Sequence, residues 1–241
     1  AAALRMIWLT PGERHRRTRG RRALWRESIL MQDICFVTGM VISQTPVGEY
    51  DRRICILTKE RGKISAFAKG ARRPTSRFTA ATNPFSFGRF KLFEGKNSYN
   101  VAEADISQYF EELRSDYICA YYGMYFLEVA DYYTRENNDE REMLKLLYQS
   151  LRALLVPALP NPLVRAVFEL KAIAVNGEYP GVPKDRKWNG STEYALTYIA
   201  QSSIEKLYTF TVTPEVLAEL TEVAGEYRRR FMDHPFKSLQ I

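Results

Sequence analysis

Histidine and cysteine are scarce in this chain of 241 residues. It holds two histidines, His15 and His234, and three cysteines, Cys35, Cys55 and Cys119. Two distant histidines all but exclude a histidine-based metal or catalytic centre. Three scattered thiols with no CxxC pair make neither a disulfide framework nor a zinc site. Each cysteine lies in an apolar stretch, the pattern of a buried free thiol in a reducing compartment. Missing too is any uninterrupted apolar run of the ~18 to 20 residues that a membrane crossing needs. No Walker A loop, GxSxG, HExxH or metal-nuclease cluster occurs, so no catalytic residue and no cofactor is expected. What remains is the balance of a globular protein, 46% hydrophobic and 26% charged, long enough for one large domain or two small ones.

The formal charge of +7 is unevenly placed. Residues 1–30 carry eight arginines against two glutamates, and residues 31–105 carry twelve Lys and Arg against seven Asp and Glu. Residues 106–241 reverse the sign, with fifteen against nineteen. A basic segment followed by an acidic one says more about partners than the overall pI does. The first thirty residues lack hydrophobic periodicity and crowd their arginines between Arg14 and Arg26. They read as a basic nucleic-acid arm, as a transit peptide, or as upstream sequence joined to a chain that starts at Met31. The third reading is favoured, since a clean strand pattern follows Met31 at once, and residues 1–30 are set aside from the fold.

Residues 31–108 predict five short strands. Ile34 to Ile42 is apolar and β-branched, and the loop Thr45-Pro46-Val47-Gly48-Glu49 is expected to break it. Arg52 to Lys59 and Lys63 to Lys69 flank a Glu60-Arg61-Gly62 turn. After a loop of Gly70-Ala71-Arg72-Arg73-Pro74, Phe85 to Phe93 and Ser98 to Ile106 form a last hairpin. Five strands in so short a span suit a Greek-key barrel of the OB type. Period-two alternation puts Lys63, Phe67 and Lys69 on one face of the third strand, and Phe87, Arg89, Lys91 and Phe93 on one face of the fourth. Cations track phosphates and rings stack on unpaired bases, so the expected nucleic-acid-binding set is Arg61, Lys63, Phe67, Lys69, Arg72, Arg73, Arg77, Arg89, Lys91 and Lys96. The plainer readings are a solvated lysine- and arginine-rich edge, and aromatics at Phe67, Phe87 or Phe93 that fill the barrel.

Residues 109–241 predict an all-helical domain, making the fold class α+β. Tyr117 to Tyr133 is apolar on nearly all sides, so its six tyrosines read as core and rim packing rather than as a stacking surface. Asp139-x-x-Glu142 resembles a capping box ahead of Leu144, Leu147, Leu151 and Leu155. Asn161-Pro162 supplies an N-cap and first-turn proline, Gly177 a stop, and Thr213-Pro214 a second start. Arg228-Arg229-Arg230 falls in the last turns of the final helix, where the helix dipole favours cations.

Specific motifs carry a family likeness. Thr58-Lys59-Glu60-Arg61-Gly62-Lys63 is followed by Ala68-Lys69-Gly70-Ala71-Arg72-Arg73-Pro74-Thr75-Ser76-Arg77-Phe78, then by Asn83-Pro84-Phe85, with Phe236-Lys237-Ser238-Leu239 near the end. With Thr38-Gly39-Met40-Val41-Ile42, they resemble the RecO family of recombination mediators in DNA repair. The likeness runs from Met31 to Ile241 and is weak between about Gly177 and Thr213. It implies an N-terminal OB-fold and a helical domain. It also implies binding of single- and double-stranded DNA, strand annealing, and partnership with RecR and single-stranded DNA-binding protein in loading RecA in the RecF pathway. The implied setting is the cytoplasm, at the nucleoid. Contact with the acidic, hydrophobic tail of single-stranded DNA-binding protein would need an apolar groove rimmed by cations, for which Arg152, Arg165 and Lys171 qualify by type. Many members of the family carry a four-cysteine zinc module, and here the corresponding stretch, about 177–212, contains no cysteine. The tract from Glu178 to Pro183, with Trp188, is expected to hold itself by ring packing instead. The alternative function is an OB-fold adaptor that binds protein partners and leaves its basic face merely solvated.

Overall fold

The structure is a computed structural model that describes residues 33–95 and 98–239. The arginine-rich segment 1–30 and Lys96 lie outside the described residues. Five strands close into a barrel: β1 (Ile34–Val47), β2 (Asp51–Thr58), β3 (Gly62–Ala68), β4 (Phe87–Glu94) and β5 (Tyr99–Gln108). Their order is β1-β2-β3-β5-β4, and β4 returns to β1. All pairings are antiparallel except β3 with β5, which touch in parallel at Ala66–Tyr99 and Phe67–Asn100. This is the OB-type barrel expected. Its interior is filled by Val37, Val41, Ile54, Ile56, Ile64, Phe90 and Leu92.

Closure depends on β1 serving two neighbours. Its first half pairs with β4 and its second half with β2, with a register shift between Val41 and Ser43. Gly39 belongs to both ladders and faces Gly88 across the β1–β4 pair. A side chain on Gly39 would collide with the Leu57 carbonyl, and one on Gly88 with that of Asp105. Glycine is therefore required where the backbones meet most closely. One sequence expectation is corrected here: Thr45, Pro46 and Val47 do not break the strand, because they still pair with Arg53, Arg52 and Asp51 at the end of the β1–β2 hairpin. A proline is tolerated there because this end of β1 pairs with β2 alone and so forms an edge.

Among the described residues, seven helices accompany the barrel: α1 (Phe78–Ala81), α2 (Glu111–Ser115), α3 (Tyr117–Tyr133), α4 (Arg141–Ala153), α5 (Asn161–Val175), α6 (Gly190–Gln201) and α7 (Pro214–Phe231). The first packs against β5 within the barrel domain, and the rest follow it. Helix α3 spans the residues expected, and its buried face stacks Phe126 on Phe168 of α5 at 4.1 Å. Of its tyrosines, Tyr125 is fully buried while Tyr117 is exposed. Thr213 caps α7 as expected, accepting from the Val216 amide. Two start signals are displaced. Asp139 pairs with the Arg141 side chain and α4 begins after Glu140, so no capping box forms. Helix α5 begins at Asn161 itself, behind Pro160. Helix α6 went unexpected, although Asn189 caps it by accepting from the Ser191 amide at 2.9 Å.

The stretch 177–212 contains neither cysteine nor histidine, so its donor set does not fit a zinc ion. Rings and carbonyls hold it, as the sequence suggests. Tyr179 meets Tyr227 edge-on at 6.0 Å, the Tyr227 hydroxyl donates to the Gly181 carbonyl at 2.8 Å, and Trp188 donates to the Pro183 carbonyl at 3.0 Å beneath the Arg186 guanidinium. Burial pushes the Tyr179 phenol up to about 12. Lys171, itself only 7% exposed, donates to the Ala200 and Ser202 carbonyls and so caps the C-terminal end of α6. The three thiols are free. Cys119 is buried and Cys35 and Cys55 are partly so, and burial raises all three, Cys55 to about 11.

A buried ionic group fastens the helices to one another. Glu169 on α5, 2% exposed, accepts from the Tyr125 hydroxyl at 2.6 Å and from Arg165 Nε at 2.9 Å, with Arg228 Nε of α7 3.6 Å away. Arg228 thus turns inward to a carboxylate, a stronger reason for its place than the helix dipole alone. A second fastening joins the barrel to the helices. Gly62 forms a β-bridge with Glu136, Lys63 N donates to the Arg135 carbonyl, and Lys63 Nζ reaches the Asp131 carbonyl at 2.6 Å and its carboxylate at 3.0 Å. Met40, Ile42 and Leu57 continue the helical core from the barrel side, and Phe87 packs on Tyr148 at 4.7 Å.

Two stability measurements follow from these fastenings. Glu169→Ala strands Arg165 and Arg228 without their anion and is expected to cost about 3 kcal/mol in urea denaturation, whereas Arg229→Ala, at an exposed site, should cost under about 0.5 kcal/mol. Gly62→Ala strains a residue at φ +64° and drives its new methyl into the Arg135 carbonyl. A loss of about 2 kcal/mol or more is expected, and an unchanged urea midpoint would show that the joint yields.

Candidate nucleic-acid interface

The ten residues singled out from the sequence divide by what they touch. Three are occupied by carboxylates. Arg61 pairs with Glu94 at 3.1 Å and donates to the Tyr99 hydroxyl at 2.9 Å, which holds its guanidinium firmly protonated. Lys63 is bound to Asp131 in the barrel–helix joint. Lys91 pairs with Glu103 at 2.8 Å and keeps that carboxyl below the usual range, with Arg77 a smaller contributor. The period-two reading placed Lys63 and Lys91 on the outer faces of β3 and β4, where they are. It did not foresee what lies across from them, because a carboxylate on a neighbouring strand or helix leaves no mark on the strand's own alternation. Phe67 is half-buried on the same outer face, between Arg53 of β2 and Asn100 of β5. Phe87 lies on that face too, but under Tyr148, so it offers no open ring.

The other described cations, Lys69, Arg72, Arg73, Arg77 and Arg89, are all exposed, and no carboxylate comes within 4.0 Å of them among the described residues. Four belong to one loop that is firmly built. Arg52 reaches under it from β2, its Nη1 donating to the Thr79 carbonyl, the Thr82 hydroxyl and the Asn83 amide oxygen at 2.9, 2.8 and 3.1 Å. Gly70 N donates to the Asp51 carboxylate, Arg72 N to the Tyr50 carbonyl, and Ala71 is fully buried. The loop's guanidiniums are therefore presented from a fixed backbone.

Rings lie beneath three of these guanidiniums. Arg73 stands over Tyr50 at 5.1 Å, Arg77 over Phe78 at 4.9 Å, and Arg89 over Phe36 at 4.6 Å. Such stacks are worth roughly 0.5 to 1 kcal/mol at exposed sites. Backbone carbonyls fix two of the loop guanidiniums further, Arg77 Nη2 donating to Ala102 at 2.7 Å and Arg72 Nη1 to Gly48 at 3.1 Å, so each keeps only part of its donors for a ligand. The interleaving of cations and aromatics is thus present, but not along one strand: Arg73 and Arg89 find their rings on neighbouring segments, and Arg77 on the residue that follows it. Phe36 and Tyr50 were missed in the sequence. Alternation along β1 sets Phe36 opposite Val37 and would have exposed it. Tyr50 follows only from where the loop folds.

Arg77, Arg89 and Lys91 line a common cleft of about 440 Å³ on the outer face of β4, with Phe36 on one flank and Glu103 and Asp105 on the other. Across the sheet the residues form two rows, Phe36–Lys91–Glu103 and Thr38–Arg89–Asp105. The cleft is basic in its middle and at the loop, and acidic along β5.

On the helical side, two of the three cations considered for a peptide groove are engaged elsewhere, Arg165 with Glu169 and Lys171 at the end of α6, while Arg152 is exposed. No helix among the described residues is long and apolar enough to cross a membrane.

Comparison with known proteins agrees with this architecture. Residues 31–110 match the family described as recombination protein O N terminal, and residues 114–183 match recombination protein O C terminal. A DNA repair protein RecO of Acetivibrio thermocellus is 30% identical over 238 residues, covering 85% of this chain and 94% of that protein. Another, of Alkaliphilus metalliredigens, is 34% identical over 236 residues, covering 84% and 96%. One from Symbiobacterium thermophilum reaches 37% over 147 residues, 61% of this chain and 58% of that protein. With the two family models matched in order over residues 31–110 and 114–183, and two relatives matched over 94% and 96% of their length, the chain belongs to the RecO family of DNA repair proteins.

Proposed function

We propose that this protein binds single- and double-stranded DNA through its barrel, anneals complementary strands, and helps load RecA onto DNA covered by single-stranded DNA-binding protein in the RecF pathway. The observation that carries the reading is the group of guanidiniums at Arg72, Arg73, Arg77 and Arg89, three of them stacked on rings and presented from a rigid loop and strand. Exposed guanidiniums with donors to spare grip phosphates, and adjoining rings receive unpaired bases. Annealing then needs no bond chemistry and no cofactor. Neutralised phosphates lower the repulsion between two strands, and holding both raises their effective concentration. RecR and the tail of single-stranded DNA-binding protein are the protein partners in this reading, with the work done in the cytoplasm at the nucleoid.

Fluorescence anisotropy with a labelled oligonucleotide, titrated across a range of salt, tests the DNA contact. Replacing Arg72, Arg73 and Arg77 together by alanine should weaken binding and flatten the plot of log affinity against log salt by about 2 in slope, the release expected for three single-strand phosphate contacts. Lysine at the same three positions should restore the slope. Arg61→Ala and Lys63→Ala, at residues already paired with carboxylates, should leave it unchanged. A triple variant with an unchanged slope removes the loop from the interface. No binding by the parent protein would favour the adaptor, whose partners are proteins alone.

A further inference from the structure

The cleft on β4 has a feature that phosphate binding does not explain. Its β5 side carries two exposed carboxylates, Glu103 and Asp105, set directly across from Lys91 and Arg89. Glu103 is bound to Lys91 at 2.8 Å. Asp105 has no ion pair among the described residues, although Arg89 is its cross-strand neighbour, because that guanidinium lies instead over Phe36. An exposed carboxylate repels a phosphate, so the sugar-phosphate chain is disfavoured along β5. The cations at Arg77 and Arg89 favour it at the loop and the centre of the cleft. The charges thus give the cleft two unlike sides.

A carboxylate only accepts hydrogen bonds. On a nucleobase, the groups that satisfy it are the exocyclic amino groups, such as the 4-amino group of cytosine, whereas the 4-oxo oxygen of thymine or uracil opposes it. Phe36 supplies the surface such a base needs, since the residue is 50% exposed, unusually high for a phenylalanine, even with the Arg89 guanidinium over its ring. It lies on the strand next to β4, diagonal to Arg89 across the pairing. A base resting against Phe36 and the Arg89 plane has its edge free to reach across β4 to Asp105, while its phosphate remains with Arg77. The volume of about 440 Å³ is of the size that takes a single small ligand.

Resting on the reading of this barrel as a DNA-binding surface, we infer that the β4 cleft is a base-selective pocket. It holds one unpaired nucleotide, with Asp105 accepting from an exocyclic amino group and so favouring cytosine over thymine or uracil. Phe36 and Arg89 stack the base, and Arg77 takes the phosphate. Glu103 is a positioning residue, because its pairing with Lys91 keeps that ammonium from neutralising Asp105. Single-strand binding by this protein is then uneven along a sequence, being stronger where amino-bearing bases can enter the cleft.

Oligo(dC) and oligo(dU) of equal length provide the test, at slightly alkaline pH where cytosine N3 is unprotonated. These bases differ at the 4-position and at N3 but not in methylation. The full-length protein should bind oligo(dC) about fivefold more tightly at matched salt. Asp105→Asn keeps an accepting oxygen, adds a donor for the 4-oxo group and removes the repelling charge. It should raise oligo(dU) affinity and bring the ratio near one. Phe36→Ala should lower affinity for both and reduce the ratio, while Arg229→Ala, on α7, should leave both as they are. Equal binding of the two oligonucleotides by the parent protein overturns the base preference alone, as does a ratio that Asp105→Asn leaves intact. Failure to bind either one overturns the DNA-binding reading beneath it as well.

Discussion

The rest of this structure depends on one strand being shared. β1 must pair with β2 and β4 at once, and it can do so only where Gly39 and Gly88 allow the backbones to approach. That closure places β4 between β1 and β5, with an aromatic strand on one side and an acidic one on the other. Were β1 to end at Ile42, the hairpin arm that receives Arg72 and Arg73 at Gly48 and Tyr50 would be lost. The fixed loop depends on the same strand as the cleft.

Much of the fold was legible because its signals are local. Alternation along Lys63–Ala68 and Phe87–Phe93 fixes which side chains face the barrel interior, and the burial of Ile64, Ala66, Phe90 and Leu92 follows. The Thr213-Pro214 start likewise needs only adjacent residues. What stayed hidden is set by distant partners. Asp139 looks like a cap until Arg141 takes it, and Lys171 looks like an exposed cation until α6 ends beside it. The same limit applies to the candidate site. Lys91 and Arg89 are equivalent in the strand pattern, yet one is bound by Glu103 and the other rests on Phe36, because their neighbours come from strands β5 and β1.

The turn that most strongly suggests the family has a structural use distinct from DNA contact. Thr58 accepts from the Arg61 amide and donates to the Gly62 carbonyl, Glu60 accepts from the Thr38 amide, and Lys63 crosses to Asp131. The closing motif behaves similarly, with Ser238 donating to Glu128 from both its amide and its hydroxyl. Sequence signatures of this kind report how the barrel turn is held, how it is joined to the helices through Lys63 and how the chain's last residues are fastened to the helices, as much as what they bind, and a buried anion at Glu169 supplements them inside the helices.

A fastening of that kind also sets distances. The β-bridge from Gly62 to Glu136 and the Lys63–Asp131 pair resist rotation of barrel against helices. Under the proposed function, DNA on the barrel and a protein partner on the helices would be held at a set offset and heading by this joint. The joint is thus built as a bracket rather than a tether, with main-chain and side-chain bonds closing on the same turn.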